Sequence, residues 1–398
     1  MMVSSRLNVL VVTRHRENAA SAPSERVWSV VRCLRMRGHH VNVDVLGENT
    51  THGEGAASTT RRSSAQHRTR LASALISLSR RAESISDLIL RPLPHFSEHE
   101  LSWNSLGNEA ELLDSVAKVD LLVIHQAGLS HLGINAPEHV KVFMLLDEDK
   151  SRFAPTRVQR LQHGKIRRHY RAVIGRSVLV AVLSDRERNY ILQRAGLSLQ
   201  STRVFTVPLG INLEHWAAQS SVQSEVDWVD VGVFGGMTYE RRCTPVVKAL
   251  EAARLAGYDW TWRIVGKVQS PWLDVFRRHG AICTQSVLDM RPYYEASRVV
   301  LVPHEKVPGM KSTLLEALIL GRPVVATEAA AVGTGLKDGE HVLLAHSAAD
   351  TIPRVAELLQ DPCAAQAMAN RAMDYARNAF DSNRLAERIV RELERSSV

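Results

Sequence analysis

Short runs of aliphatic and β-branched residues alternate along this chain with segments of helical period. LNVLVVT (7–13) opens the series, and HVNVDVL (40–46), VDLLVIH (119–125), VKVFMLL (140–146), VLVAVLS (178–184) and RVFTVPLG (203–210) follow. Runs of this length, apolar at nearly every position, are what strands buried on both faces require. With helical segments between them, such as Ser24 to Arg37 stopped by Gly38, they predict parallel α/β units.

The polar stretch AAQSSVQSEV (217–226) reads as a linker, after which the alternation restarts. VDVGVFGG (229–236) is a strand running into glycines. Thr244-Pro245 supplies an N-cap and first-turn proline for a helix ending near Gly257. WTWRIVG, AICTQSV and RVVLVP are the next strands, and an amphipathic helical tail begins near Asp361. The expectation is two doubly wound Rossmann-like halves facing across a cleft: residues 1–212, residues 213–380, and a C-terminal helix at 381–398 packing back on the first half. Ligands of such sheets bind at the carboxyl ends of the strands.

Composition narrows the class. Apolar residues make up 45% and charged residues 23%, as in water-soluble globular proteins. No apolar run approaches the ~20 residues of a membrane span, and the N-terminus carries no leader signature. The four cysteines are widely spaced, which points to free thiols in a reducing compartment rather than a disulfide framework or zinc site. Cytoplasmic location is expected. The formal charge of +8 is uneven, with basic stretches at 60–92 and 150–171. A solvated helix face or an anionic membrane surface would account for them, the latter placing the protein peripherally on the inner leaflet. No finger, helix-turn-helix or aromatic RNA-binding pattern accompanies the charge, so nucleic acid is not an expected partner.

The densest chemistry lies in LVPHEKVPGMKSTLLEALILGRPVVAT (301–327). A strand ends there, Gly309 turns the chain, and Thr313 with Glu316 has the spacing of a capping box opening a helix that stops at Gly321. A helix N-terminus at a strand's carboxyl end is an anion site. Lys311 adds charge to it, and Ser312 and Thr313 add hydroxyls. Spacing alone leaves two readings of Glu316: it closes the capping box, or it accepts hydrogen bonds from a ribose.

GMKSTLLEALILGRPVVATEAAAVG resembles the donor-site signature of the GT-B glycosyltransferases of the large retaining family four (glycosyl transferases group 1). VGVFGGMTYE, DMRPYYEASRVVLVP and VFTVPLGINLEHW are similar to other segments of that family, and VAVLSDRERNYIL and LLDEDKSRFA more weakly. The resemblance covers about two-thirds of the chain. It implies a GT-B fold and a nucleotide diphosphate sugar as donor substrate, with no cofactor. It places Glu316 on the ribose, Gly309, Met310, Lys311, Ser312, Thr313 and Leu314 along the diphosphate and sugar, and Gly235 and Gly236 where backbone nears the phosphates. Arg241 or Arg242 would face the diphosphate, His125 the donor sugar, and Arg26 the acceptor side.

The sequence also departs from the family. Pro308 stands where many members carry a first glutamate, with Glu305 nearby; Thr313 replaces a lysine, Met237 an arginine, and ENAASAPSER a glycine-rich loop. The expected reaction is metal-independent transfer of a hexosyl-type sugar, with anomeric retention, to a hydroxyl of a lipid-linked or saccharide acceptor. Asp147-Glu148-Asp149 matches a non-metal segment. Transfer to a soluble small molecule and a non-catalytic nucleotide-binding scaffold are the alternatives.

Overall fold

The computed structural model describes residues 6–13, 22–46, 109–125, 129–146, 163–217, 226–238, 240–285, 287–305 and 310–396. Pro308 and Gly309, the segment 47–66, the whole basic stretch 60–92 and the acidic triplet at 147–149 lie outside these residues.

The first half contains β1 (Asn8–Thr13), α1 (Ala22–Met36), β2 (His40–Val45), α2 (Glu109–Val116), β3 (Leu121–His125), α3 (Ser130–Ile134), β4 (Lys141–Leu145), α4 (His163–Arg176), β5 (Leu179–Val182), α5 (Asp185–Ala195) and β6 (Val204–Thr206). Helix α6 (Leu213–Ala217) leads to the second half: β7 (Val229–Phe234), α7 (Glu240–Leu255), β8 (Trp262–Val265), α8 (Trp272–Arg278), β9 (Ile282–Thr284), α9 (Arg291–Glu295), β10 (Ser297–Val302), α10 (Ser312–Ile319), β11 (Val324–Thr327) and β12 (Leu343–Ala345). Helices α11 (Thr351–Gln360), α12 (Pro362–Ala379) and α13 (Ser382–Ser396) close the chain.

The strands make two six-stranded sheets, ordered β2-β1-β3-β4-β5-β6 and β12-β11-β10-β7-β8-β9. Every strand pair is parallel. Strands β3, β4 and β5 are buried along almost their whole length, with apolar clusters on both faces of the sheet, as their unbroken hydrophobicity requires. The strand order reverses between β1 and β3 in the first sheet and between β7 and β10 in the second. Those are the points where an open α/β sheet leaves a crevice.

The chain recrosses at its end. Ile211 donates its amide to the Phe380 carbonyl at 2.7 Å and accepts from Ser382 at 3.0 Å. Helix α13 then packs on α1 and the first sheet, burying Leu385, Ala386, Ile389, Val390 and Leu393 among Val9, Val11, Val27 and Leu34. Burying each large apolar side chain is worth about 1.5–3 kcal/mol, whereas a half-exposed ion pair such as Arg37–Glu394, at 2.7 Å, is worth about 0–1 kcal/mol. The apolar seam, not the ion pair, holds the tail down.

Two local expectations are corrected. Helix α7 begins at Glu240, so Thr244 and Pro245 lie inside it rather than at its start. Fully buried Cys243 anchors the extra turn, and Pro245 sacrifices only its own backbone donor. Helix α10 starts at Ser312 with Lys311 as its N-cap and no side-chain cap bond. Thr313 is therefore within the first turn and closes no capping box with Glu316.

Candidate active site

At the reversal point of the second sheet, the carboxyl ends of β7 and β10 meet the N-terminus of α10. Strand β7 runs into Gly235, whose φ of +109° is unsuited to residues with a Cβ. A Cβ placed there would sit 3.4 Å from the Thr313 Cγ2, so the glycine loop touches the first turn of α10. Gly266, after β8, has φ +131°, and a Cβ on it would fall on the Gly235 carbonyl oxygen. The loops after β7 and β8 are thus stacked backbone on backbone, and the sequence reading missed Gly266.

Met237 belongs to this stacking. Its amide donates to the Lys267 carbonyl at 2.8 Å, and its side chain, 1% exposed, is part of the core. A charged side chain has no place there. Positive charge comes instead from the first turn of α7, where Arg242 Nη1 donates to the Gly236 carbonyl at 3.2 Å and Arg241 is exposed. Two arginines at a helix N-terminus oppose the helix dipole, an arrangement that an anion in front of the helix would relieve.

Lys311 and Arg242 also share a neighbour that the sequence reading overlooked. His304, two residues past β10, is 6% exposed. Burial pushes its pKa down to about 3, and the charges of Lys311 and then Arg242 act in the same direction. The charges of α7 and of the N-cap of α10 therefore both reach a buried ring at the end of β10. Glu305, next in the chain, accepts from Lys248 Nζ and from the Ala348 amide, each at 3.0 Å, which ties it to α7 and to the segment before α11.

Glu316 lies one turn into α10. Its Oε2 accepts from the Tyr294 hydroxyl at 2.8 Å, and Ser312 also donates to it. Burial raises the Glu316 carboxyl above its ordinary range against the pull of these two donors. Tyr294 is fully buried and stacked on Phe234, with ring centroids 3.6 Å apart. The glutamate is thus oriented by a rigid aromatic pair from β7 and α9. Met310 and Leu314 are core side chains, and the Leu314 amide donates to the Lys311 carbonyl at 3.1 Å. What the start of α10 presents is the backbone and hydroxyls of Ser312 and Thr313.

Beside this group lies a cleft of about 790 Å³ along the carboxyl ends of β7, β8 and β9, lined by Thr238, Gly266, Lys267, Gln285, Val287 and Met290 among others. Its size falls in the range of small-molecule sites, about 300–1,000 Å³.

His125 and Arg26 lie with the other sheet. His125 ends β3 at that sheet's reversal point, fully buried, with Nδ1 3.1 Å from the Thr13 Oγ1 at the end of β1. Arg26, 3% exposed, donates to the carbonyls of Leu146 at 2.8 Å and Ala181 at 3.3 Å. Its guanidinium braces the ends of β4 and β5. The two halves touch nearby: Leu183, after β5, packs with Met310, Leu314 and Ala331, and a Cβ on Gly333 would sit 3.1 Å from that of Ser184. Among the described residues, no cluster of three or more His, Cys, Asp or Glu side chains could hold a metal ion, and no helix is long and apolar enough to cross a membrane.

Two parallel six-stranded sheets with flanking helices are the GT-B architecture. The chain superposes over 98% of its length on HepE of Anabaena solved with UDP, with TM-score 0.67, 15% identity and 100% of that chain covered. Sucrose-phosphate synthase of Thermosynechococcus elongatus gives 0.67 at 14% identity, over 98% of each chain. A glycosyltransferase of Rickettsia africae gives 0.65 at 13%, over 99% of each. These likenesses show the fold. No curated protein sequence matches the chain. Residues 229–361 match the family described as Glycosyl transferases group 1.

Proposed function

We propose that the protein transfers a sugar from a nucleoside diphosphate sugar to a hydroxyl acceptor. The observation that carries this reading is the contact of the Gly235-Gly236 loop, whose Gly236 carbonyl accepts from Arg242 Nη1 at 3.2 Å, with the first turn of α10, one helical turn from Glu316. As the glycosidic bond to the donor breaks, negative charge grows on the leaving diphosphate. Preorganised cations and helix amides aimed at that charge lower the barrier most. Arg242 and Lys311 supply the cations, Ser312 and Thr313 the amides, and no metal is assigned a role. Glu316, held by Tyr294, accepts from the ribose hydroxyls, and the 790 Å³ cleft takes the nucleoside.

His125 faces the sugar from the opposite sheet, and transfer proceeds with retention. Arg241 adds charge at the diphosphate rim. HepE, similar in fold, was solved with UDP-glucose and with UDP and glucose, which supports a uridine nucleotide donor of the hexose type. Arg167, Arg168 and Arg171 are exposed on α4. They favour an acceptor at an anionic membrane surface over a freely soluble one. Salt-sensitive sedimentation with anionic vesicles tests that choice, and sedimentation equal to that with neutral vesicles refutes it.

The non-catalytic alternative rests on the departures at Pro308, Thr313 and Met237. Arg242 on the Gly236 carbonyl offsets the last of them. Incubation with a panel of nucleotide sugars decides the matter. Donor turnover lost in Lys311→Ala supports catalysis, and binding without any turnover favours a scaffold. The anomeric configuration of the product, read by NMR, tests retention.

A further inference from the structure

His304 has a place in this site that the reading above does not use. It stands at the carboxyl end of β10, at the reversal point of the sheet, and feels the charges of Lys311 at the N-cap of α10 and Arg242 of α7. On the β11 side Thr327 donates to its backbone carbonyl at 2.6 Å. Glu305, the adjacent carboxylate, is turned to Lys248 and the Ala348 amide. Among the described residues, the charges that act on the ring are those of Lys311 and Arg242, and no carboxylate is among them. Its Nδ1 is buried without a hydrogen-bond partner among the described residues. Such an atom normally costs stability, so its retention beside two cations calls for a ligand.

We propose that His304 is a proton-accepting contact to the donor diphosphate: the ring takes one proton from solvent when the nucleotide sugar binds and then donates to a phosphate oxygen. This inference rests on the donor reading above. The balance is simple, because one solvent proton joins a ring nitrogen and nothing leaves. In the empty site the imidazole is neutral, since burial and then the charges of Lys311 and Arg242 hold its pKa near 3. A bound diphosphate offsets both cations and adds opposite charge. Each opposite charge within ~4–6 Å shifts a pKa by about 1–3 units toward the charged form. The imidazolium then becomes accessible near neutrality.

The consequence is a donor affinity that rises as pH falls. Between the free and bound pKa values the complex holds more protons than its separated parts, so affinity gains up to about tenfold per pH unit. Below the free value, near 3, the gain levels off. The phosphates of a nucleotide sugar are esterified and do not titrate in this range, so the proton comes to the protein.

Titration calorimetry with UDP-glucose, GDP-mannose, ADP-glucose and dTDP-glucose, in buffers of differing ionisation enthalpy, measures the protons taken up. For the donor that binds, wild type should take up a fraction of a proton that increases from pH 7.5 to 5.5, with affinity rising in step. His304→Gln should bind that donor with no uptake and a flat pH profile. Uptake of the same size in His304→Gln, or none in wild type, overturns the proposal. If wild type binds no donor, the donor reading fails first and takes this one with it. Should the variant fold poorly, the imidazole Cε1–H NMR signal of His304 in wild type reads the same event. A shift to the imidazolium position on donor binding supports the proposal, and an unmoved signal refutes it.

Discussion

The Tyr294 hydroxyl donates to Glu316 Oε2 at 2.8 Å, from a ring that is fully buried and stacked on Phe234. The carboxylate proposed for the ribose is therefore set by a side chain from another element. Tyr294→Phe keeps the stack and removes the donor. It should cost about 1–3 kcal/mol of stability, measured by urea unfolding, and raise the donor KM more than it lowers kcat. Glu316→Gln should lower kcat/KM by roughly 10–100-fold, the value of hydrogen bonds to a charged group. An unchanged donor KM in both variants would return Glu316 to a purely structural role.

Arg242 and Lys311 are the cations proposed to face the charge that grows as the donor bond breaks. Lys311→Ala should therefore lower kcat by about 10²–10³-fold with a smaller effect on KM, the pattern of lost leaving-group stabilisation. Arg242→Ala should act in the same direction. It should also loosen the glycine loop, since Arg242 holds the Gly236 carbonyl at 3.2 Å. Steady-state kinetics on a wild-type donor–acceptor pair reads both, and a pure KM effect would argue against a role in the chemical step.

Gly266→Ala tests the stacking of the two loops. The added methyl falls on the Gly235 carbonyl, and φ of +131° suits no L side chain. We expect a loss of about 2–4 kcal/mol, together with weakened nucleotide binding because Gly235 must move. Gly257→Ala serves as a control: φ there is also positive, at +78°, but the added methyl meets nothing within 4 Å. It should destabilise less and leave nucleotide binding intact.

Acid should destabilise the fold before its carboxylates titrate. His304 and His169 are neutral in the folded state, with pKa values lowered to about 3 and about 4, chiefly by burial. His169 is hydrogen-bonded to Ser130 at 2.7 Å, and the neighbouring His131 depresses it further. Unfolded histidines bind protons below about pH 6.5, so the unfolded state holds more protons in this window. Stability is then highest above that pH and falls as pH drops, by up to about 1.4 kcal/mol per pH unit for each histidine. Glu316, whose carboxyl is raised, works in the opposite direction. Urea unfolding at pH 7.5 and 5.0 measures the slope, which should be shallower in His304→Gln. An equal slope would mean that other groups set it.

The sequence makes the frame of this site legible and leaves its partners hidden. The alternation of apolar runs and helices predicts both sheets, because strands buried on two faces cannot alternate. The strand ending in Gly235-Gly236 and the position of Glu316 one turn past Lys311 can be read along the chain. Tyr294 is another matter. It is 22 residues from Glu316, and only the folding of α9 against α10 brings them together. His304 looks like an ordinary residue at a strand end until Arg242 and Lys311 are placed beside it. Capping signals misled at two points, Thr244-Pro245 and Thr313, because local preferences worth about 1 kcal/mol yielded to the burial of Cys243 and to the hold of Tyr294 on Glu316.

The central claim is that a nucleoside diphosphate sits between the glycine loop and the start of α10. Titration calorimetry with UDP, GDP, ADP and dTDP, on wild type and on Lys311→Ala, tests it most directly. We predict that at least one nucleotide binds wild type with a micromolar Kd, about −8 kcal/mol, and that Lys311→Ala weakens it by tenfold or more. Absence of binding by all four, or equal binding by the variant, would contradict it.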